Sequence, residues 1–379
     1  MRFVRIRLGN WRNFLEADVL LQRRVFLVGP NASGKSNFLD AFKFLRDVAD
    51  QQGGFQQAVA KRTGLTQIRS LHARRHSAVV IDVSMDLGEG EPWRYRLEFT
   101  QHEKKRPVVA KETVWRGEQI VLTRPDKQDE DDPSRLTQTH LEQVNANRDF
   151  RQIADFLSEV RYLHLVPQLV REPERSARVT RDPYGSDFLE LLAGTPKRTH
   201  ESRLRRIRDA LRIAVPNLKN LVLERDDRGV PHLKGLYEHW RPNAGWQTEG
   251  QFSDGTLRLL GLLWVLLDGT APLLLEEPEL SLHAGVVRQI APMMARLSRS
   301  TGRQVLVSTH SADLLRDEGI APEEVALLVP SKEGTKISLA AEDAEVRVLL
   351  EGGISIAEAV LPRTAPRDPH QLTLFGDWK

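Results

Sequence analysis

Residues 29–36 read Gly29-Pro30-Asn31-Ala32-Ser33-Gly34-Lys35-Ser36, and this stretch decides the fold of the chain. The apolar run 24–28 precedes it and predicts a buried strand that ends in a loop. From Ser36 onward, apolar residues recur at helical spacing and predict an amphipathic helix. The motif G-x-x-x-x-G-K-S in that setting predicts a loop whose backbone N–H groups curl around phosphate oxygens. The alternative is a chance glycine-rich turn.

The same stretch predicts individual roles for its side chains. Lys35 can reach the β- and γ-phosphates of a nucleoside triphosphate, and the Ser36 hydroxyl can ligate Mg²⁺. The start of the following helix adds the positive end of its dipole. We therefore expect ATP and Mg²⁺ here. The candidate nucleotide-binding residues are Gly29, Asn31, Ala32, Ser33, Gly34, Lys35, Ser36 and Asn37.

A second apolar strand, predicted at 273–275, ends in the acidic sequence Glu276-Glu277-Pro278-Glu279. Two adjacent carboxylates at a buried strand end are costly without a cation beside them. Glu276 can hold the Mg²⁺ shell, and Glu277 can orient or deprotonate an attacking water. The alternative is a surface turn that happens to contain two glutamates.

Two further segments lie downstream of the phosphate loop. Ser253-Asp254-Gly255-Thr256 opens an apolar helix predicted at 255–268, with Ser253 as its N-cap. A third apolar strand, 304–308, leads to His310. Taken alone, Ser253 is explained by capping, and a lone histidine is explained by ordinary packing.

Composition narrows the class of protein further. The chain has 379 residues with a formal net charge of +3, so nucleic-acid binding would have to come from local patches. Cysteine is absent, which excludes disulfides and cysteine-ligated metal sites. No apolar run approaches the ~20 residues that a membrane span requires. We expect a cytoplasmic location and no membrane partner.

The chain divides into four predicted parts. Residues 1–166 contain the phosphate loop and an antiparallel meander at 78–124, followed by an acidic solvated loop at 126–133. Residues 167–250 form an arginine-rich helical lobe, with helices at 186–193 and 200–214. Residues 251–360 return to alternating strands and helices, with a helix near 284–299, and favour a parallel core. Residues 361–379 are predicted to be a flexible tail.

Together these segments resemble the head of ABC-type ATPases, and more specifically the RecF/SMC/OLD branch. The resemblance is carried by Asn13-Phe14, the phosphate loop, Phe252-Ser253-Asp254-Gly255, the sequence 276–283 and Ser308-Thr309-His310-Ser311. It implies an α/β fold, a P-loop NTPase with a mostly parallel core sheet, an antiparallel β-meander lobe and an inserted helical lobe.

The resemblance also implies a mechanism. Two heads would dimerise on ATP, with Ser253 and Gly255 of one chain contacting the γ-phosphate bound to the other. Glu277 would act as general base and His310 as γ-phosphate sensor. Gln168 is the candidate for the glutamine that couples nucleotide to the helical lobe. Glu276 departs from the family, since many relatives have Asp there, and this puts the turnover rate in doubt.

Two further segments suggest partners. The helix at 200–212 carries arginines that could track a DNA backbone, or could pair with Glu201 and Asp209. Residues 371–375, Gln371 to Phe375, resemble the peptide that binds the bacterial sliding clamp, or could pack on the chain itself. Residues 311–379 are too few for the nuclease domain of OLD relatives, so we expect any effector on another chain.

The predicted function is therefore an ATP-gated dimeric switch in DNA repair or anti-phage defence. Two alternatives remain open at this point. One is a nucleotide-binding scaffold with negligible hydrolysis, which Glu276 keeps in view. The other is a transport ATPase, for which no membrane-coupling motif is evident. The residues near the loop that could contact adenine are Trp11, Arg12 and Phe14.

Overall fold

The computed structural model describes residues 1–73, 78–88, 90–101, 106–172, 182, 184–241 and 245–365. Three sheets organise these residues. The strands are β1 Arg2–Trp11, β2 Phe14–Leu20, β3 Arg24–Val28, β4 Val79–Asp86, β5 Trp93–Gln101, β6 Pro107–Arg116, β7 Gln119–Arg124, β8 Arg161–Leu163, β9 Leu218–Arg225, β10 Pro231–Tyr237, β11 Trp246–Thr248, β12 Leu273–Glu276, β13 Val305–Thr309, β14 Val325–Ser331 and β15 Gly334–Leu339.

Helices cover one or both faces of these sheets. Three of them recur below: the phosphate-loop helix Lys35–Ala49, the arginine-rich helix Lys197–Ala214 and the signature helix Asp254–Leu267. The other α-helices are Phe55–Ala60, Leu65–Ile68, Lys127–Asp131, Arg151–Ser158, Pro167–Val170, Phe188–Gly194, Ala284–Val287, Ile290–Thr301, Ala312–Leu315, Ala344–Glu351 and Ile356–Thr364.

The core sheet has six strands in the order β15-β14-β3-β13-β12-β8. Its neighbours pair in parallel except β14 and β15, which form an antiparallel pair at one edge. Every residue of β3 and β13 is buried, as expected for strands covered by helices on both faces. The carboxyl ends of β3, β12 and β13 therefore lie side by side, which is where parallel sheets place ligand sites.

The predicted meander is confirmed, but it does not stand alone. Strands β4 to β7 join β1 and β2 in one antiparallel sheet, ordered β2-β1-β4-β5-β6-β7. Its inner face packs on the phosphate-loop helix, where Phe44 stacks on Phe99 with ring centroids 5.2 Å apart. The two sheets thus share one apolar core through that helix.

The solvated loop predicted at 126–133 is mostly exposed, but it contains a helix, and one of its acids is buried. Asp126 caps the helix Lys127–Asp131, and its carboxylate accepts a hydrogen bond from Asp129 N at 2.9 Å. Asp129 itself is buried against Arg124. A run of acids suggested solvent exposure, but a buried arginine from the neighbouring strand attracts one of them into the interior.

The region between the two halves of the core contains more than helices. The arginine-rich helix buries Leu204, Ile207 and Leu211 on one face, as its spacing predicts. That face packs on an antiparallel sheet, β11-β10-β9, which the sequence analysis did not predict. The inserted lobe is therefore mixed.

Two boundaries near the C-terminal side differ from prediction. The helix predicted near 284–299 is interrupted, with helices at Ala284–Val287 and Ile290–Thr301. Residues 361–364, predicted to belong to the flexible tail, form the last part of the helix Ile356–Thr364. Residues 366–379, including Gln371 to Phe375, lie outside the described residues. Within the described ranges, no helix has the length and apolar character needed to cross a bilayer.

Candidate functional site

The phosphate loop connects the end of β3 to the phosphate-loop helix. Ala32 and Gly34 take left-handed backbone conformations, with φ of 62° and 97°. A Cβ on Gly34 would lie 2.1 Å from the Asn13 side-chain nitrogen, so only glycine fits. Asn13 Nδ2 also donates to Ser33 O at 2.9 Å. The loop is thus shaped by its own glycine and held from outside by β1–β2.

Lys35 is buried inside this loop. Its Nζ donates to the carbonyl oxygens of Gly29 at 2.9 Å and Pro30 at 3.1 Å. Burial lowers the pKa of Lys35, while the carboxylates of Glu277, Glu279 and Glu276 act in the opposite direction. The ammonium group therefore sits in a poorly solvated place with acids nearby, where an added polyphosphate would be a strong partner.

The loop has the features of an anion site. The phosphate-loop helix has 15 residues and directs its N-terminus into the loop. Asn31, Ala32 and Ser36 are exposed at its rim. Ser33 Oγ is buried and has no hydrogen-bond partner among the described residues. Asn37 is held back from the rim, because its Nδ2 donates to Asn13 Oδ1 at 2.9 Å.

Ser36 and Glu276 meet at the mouth of the loop. Ser36 Oγ donates to Glu276 Oε1, and the Tyr162 hydroxyl donates to Glu276 Oε2. A hydroxyl and a carboxylate oxygen are ligands that Mg²⁺ prefers, so this pair fits the metal. A cavity of about 700 Å³ opens beside them, lined in part by Tyr162, His164 and Tyr184.

Glu277 and His310 follow the ends of two adjacent parallel strands. His310 Nδ1 lies 3.3 Å from Glu277 Oε1. The backbone N–H of Glu277 donates to Ser308 O at 3.0 Å, and its φ of 44° is left-handed. Such a backbone conformation in a non-glycine residue costs about 1–3 kcal/mol and persists where surrounding structure imposes it. The strained turn aims the Glu277 carboxylate toward His310 at the loop edge of the sheet.

The signature helix begins close to this acidic turn. Ser253 is its exposed N-cap, and Ser253 Oγ accepts from Thr256 N at 3.2 Å. A Cβ on Gly255 would lie 2.5 Å from Ser281 O, so glycine permits the close approach of helix and turn. One turn further along the helix, burial lowers the pKa of Arg258, and the nearby carboxylates of Asp254 and Glu277 oppose this shift.

Gln168 lies elsewhere. It is exposed on the short helix Pro167–Val170 and does not line the cavity beside Glu276. His164, directly after β8, lies beside the acidic turn, with Nδ1 3.4 Å from Glu276 O. Trp11 and Phe14 are fully buried in the core, so neither is free to stack on a base.

Sequence reasoning missed three residues of this site: Tyr162, His164 and Glu279. Glu279 is 7% exposed, and its Oε1 accepts a hydrogen bond from Thr309 Oγ1. Burial raises the pKa of Glu279. The available signal was position alone: Tyr162 and His164 alternate along a strand predicted at 161–166, and Glu279 is a third acid after a proline.

These features define a P-loop nucleotide-binding site at the carboxyl edge of a mostly parallel sheet. Comparison of the sequence with protein families agrees with that class. Residues 24–317 match the AAA_21 family, described as an AAA domain, putative AbiEii toxin of a Type IV TA system. The chain belongs to this family. No curated protein matches the sequence.

Solved structures show the same fold. The SMC head bound to the C-terminal winged-helix domain of ScpA is 12% identical, with a TM-score of 0.58, covering 89% of this chain and 98% of that one. The SMC head with an extended coiled coil, bound to the C-terminal domain of ScpA derived from Pyrococcus furiosus, is also 12% identical. Its TM-score is 0.56, covering 93% of this chain and 99% of that one. The fold is therefore that of SMC-type ABC ATPase heads.

Proposed function

We propose that the protein binds and hydrolyses ATP between two copies of itself and acts as an ATP-gated switch. The observation that carries this proposal is the arrangement of Lys35, Ser36, Glu277 and His310 at one edge of the core sheet, with an exposed helix N-terminus nearby. We place this activity in the cytoplasm.

Within one copy, each group has a separate task. Lys35 binds the β- and γ-phosphates, and Ser36 with Glu276 holds Mg²⁺, which neutralises phosphate charge. Glu277 takes a proton from the attacking water. His310, 3.3 Å from Glu277, contacts the γ-phosphate and holds the base in place. Ser36 already contacts Glu276, and Glu277 already lies beside His310.

The second copy supplies the missing side of the pocket. Ser253 is exposed and caps a helix of 14 residues, so its surroundings favour an anion from outside the chain. Within its own chain, this N-terminus packs on the turn that contains Ser281. We infer that Ser253 and Gly255 of one copy contact the γ-phosphate held by Lys35 of the other.

Sizing the protein with and without Mg-ATP tests this proposal. Glu277→Gln should lower phosphate release by at least about 100-fold and accumulate the dimer, because a general base contributes about 10²–10⁴ in rate. Ser253→Arg in that background should restore the monomer, whereas Ser202→Arg, at an exposed serine of the arginine-rich helix, should not. A protein that stays monomeric at saturating ATP contradicts the switch.

The arginine-rich helix supports DNA as the controlled partner. Arg203 and Arg208 pair with Asp268 and Asp209 at 2.9 and 2.8 Å. A second set of arginines is exposed and forms no ion pair within the described part of the chain: Arg198, Arg205, Arg206 and Arg212. We propose that these unpaired arginines bind DNA phosphates, in support of a role in DNA repair or anti-phage defence.

Salt dependence of DNA binding tests this assignment. Replacing both Arg205 and Arg212 by Ala should reduce the slope of log affinity against log salt by about 2, since each phosphate contact contributes about one. Arg208→Ala is the matched control, because that guanidinium is already paired with Asp209. Equal slopes for all three proteins would remove DNA from this helix. The effector on another chain and the clamp peptide at 371–375 stay predictions.

One observation favours a second candidate, a nucleotide-binding scaffold with negligible hydrolysis. Glu276 is longer than the aspartate usual in such sites, and both of its oxygens already accept hydrogen bonds from protein hydroxyls. Phosphate release by the wild type at the level of Glu277→Gln, with ATP bound by both proteins, would establish the scaffold instead.

A further inference from the structure

The carboxylate of Glu276 is held at both ends, although it lies at the mouth of the site. Its Oε1 accepts from Ser36 Oγ and its Oε2 from the Tyr162 hydroxyl. Ser36 belongs to the nucleotide site proposed above, whereas nothing in that proposal uses Tyr162. A tyrosine bonded to the metal-side carboxylate therefore needs its own explanation.

Tyr162 is placed by the core sheet. It is the middle residue of β8 and pairs in parallel register with Leu274 of β12, two residues before Glu276. A parallel strand carries the tyrosine and the glutamate in the same direction. The ring can therefore lean along the sheet and bring its hydroxyl to the carboxylate at the end of β12.

The tyrosine ring is also fixed from the other side. Lys43 Nζ lies 3.9 Å from the centroid of the Tyr162 ring, within the range of a cation–π contact. Lys43 and Ser36 lie on the same helix seven residues apart, which is two turns or about 10.5 Å. The phosphate-loop helix thus holds both ends of the group: Ser36 contacts the carboxylate and Lys43 contacts the ring.

A glutamate needs such a support more than an aspartate does. Its extra methylene adds about 1.5 Å and one more rotatable bond, so its carboxylate can occupy more positions. A hydroxyl bond to one oxygen removes that freedom and leaves the other oxygen facing Ser36. Groups that orient a ligand in this way are typically worth about 10- to 100-fold in metal affinity.

We propose that Tyr162 is a positioning residue that adapts this nucleotide site to a glutamate at the metal position. The Tyr162 hydroxyl fixes Glu276 so that Oε1, and not Oε2, is presented beside Ser36. This inference rests on the proposed function, because it requires that Ser36 and Glu276 hold a divalent cation. It predicts energetic coupling between Tyr162 and the length of residue 276.

Mn²⁺ binding to the full chain in the presence of ADP, followed by electron paramagnetic resonance, tests the proposal without turnover. Tyr162→Phe should weaken Mn²⁺ affinity about tenfold, equivalent to about 1.4 kcal/mol. In the Glu276→Asp background the shorter carboxylate does not extend to the tyrosine, so Tyr162→Phe should have less than a twofold effect. Non-additivity of this kind identifies a direct interaction.

Tyr184→Phe is the matched control, since Tyr184 lines the same cavity without a hydrogen bond from its hydroxyl to Glu276. It should leave Mn²⁺ affinity unchanged, and melting temperatures should confirm that all variants fold. Equal Mn²⁺ affinity for wild type and Tyr162→Phe, or an equal loss in both backgrounds, would overturn the positioning role of Tyr162 but not the proposed function. A wild type that binds no Mn²⁺ with ADP would overturn the proposed function as well.

Discussion

Two of the places where this molecule buries charged groups differ in how those groups are satisfied. In the antiparallel sheet, Arg124 lies between Glu112 and Asp129, and all three side chains are fully buried. Arg124 donates to Asp129 through Nε at 2.9 Å and Nη2 at 2.8 Å, and to Glu112 through Nη1 at 3.1 Å. Glu112 also accepts from the backbone N–H groups of His140 and Leu141.

At the nucleotide edge, some buried polar atoms have unused hydrogen-bonding capacity. Glu279 Oε2, Ser33 Oγ and Ser308 Oγ are buried and have no hydrogen-bond partner within the described ranges. The ammonium group of Lys35 donates hydrogen bonds to two backbone carbonyl oxygens. Unpaired buried groups cost stability, and these three lie at the edge where a ligand could satisfy them. Others, such as Thr113 Oγ1 and Trp93 Nε1, lie in the antiparallel sheet.

The two regions thus differ in function: the charges around Arg124 stabilise the fold, whereas those at the nucleotide edge are available to a ligand. Around Arg124 the protein supplies its own hydrogen-bond partners, which join β6, β7 and the helix Lys127–Asp131. At the loop edge the protein is incomplete, and burial there produces a site with unused hydrogen-bonding groups. Substitutions should therefore affect stability in the first region and ligand binding in the second.

The largest effect is expected at the self-satisfied cluster. Arg124→Met leaves Glu112 and Asp129 buried without their cation and should lower the free energy of unfolding by about 3–5 kcal/mol. Urea denaturation measures this loss. The control Arg208→Ala breaks an exposed pair and should cost less than about 1 kcal/mol. Equal losses for the two variants would show that the buried cluster stabilises the fold no more than an exposed ion pair does.

Lys35→Met should show the opposite profile. Removing one charge-assisted contact should weaken ATP binding about 10- to 100-fold, while the unfolding free energy changes little. Titration calorimetry with ATP and Mg²⁺ gives the affinity, and the same urea curves give the stability. If Lys35→Met unfolds the protein instead, the buried charge of Lys35 stabilises the fold, as the charge of Arg124 does.

The pH dependence of stability provides a further test, through the carboxyl group of Glu142. Burial raises the pKa of Glu142 to about 7, although hydrogen bonds from Phe55 N and Thr139 oppose this shift. The folded state therefore binds this proton more tightly than the unfolded chain, so stability should fall as pH rises from about 4.5 to 7.

Glu142→Gln mimics the protonated form and should flatten that part of the profile. At pH 8 it should stabilise the protein by about 1–3 kcal/mol, since each pKa unit corresponds to about 1.4 kcal/mol. Asp129 is the contrasting carboxyl: burial opposes ionisation, but hydrogen bonds from Arg124 and Asp126 N lower its pKa to about 2. An unchanged profile in Glu142→Gln would contradict the assignment.

The smallest effect is expected at Glu279. Burial raises its pKa, and one of its oxygens has no partner, so Glu279→Gln should raise stability by up to about 1 kcal/mol. The amide oxygen can still accept from Thr309 Oγ1, which keeps the turn in place. Phosphate release should fall if the charge serves the site. A loss of stability, measured by thermal unfolding, would place Glu279 with the Arg124 cluster.

Local sequence patterns predicted the parts of the fold that local forces produce. Strand β3 was predicted at its observed limits, because a short apolar run between polar residues has one favourable environment. The buried face of the arginine-rich helix was predicted for the same reason. Strands β9 to β11 were missed, since they carry mixed polar and apolar residues and are stabilised mainly by packing on that helix.

Among the site residues, Ser36 and Glu276 were both expected to hold Mg²⁺, and the family resemblance implied roles for Glu277 and His310. The structure brings the members of each pair close to one another. Tyr162 and His164 could not be found in this way, because β8 has only three residues and none of them is fully buried. Gln168 was chosen for its residue type after a predicted strand, and the structure puts it on an exposed helix outside the cavity.

The sequence alone determined the phosphate loop, the acidic strand end and the capped signature helix, because glycine conformation, hydrophobic runs and capping act over a few residues. Only the tertiary structure decided that Tyr162 meets Glu276. That contact depends on strand order and register, which bring these two residues together although they are more than a hundred positions apart in the chain. No local preference encodes such a contact.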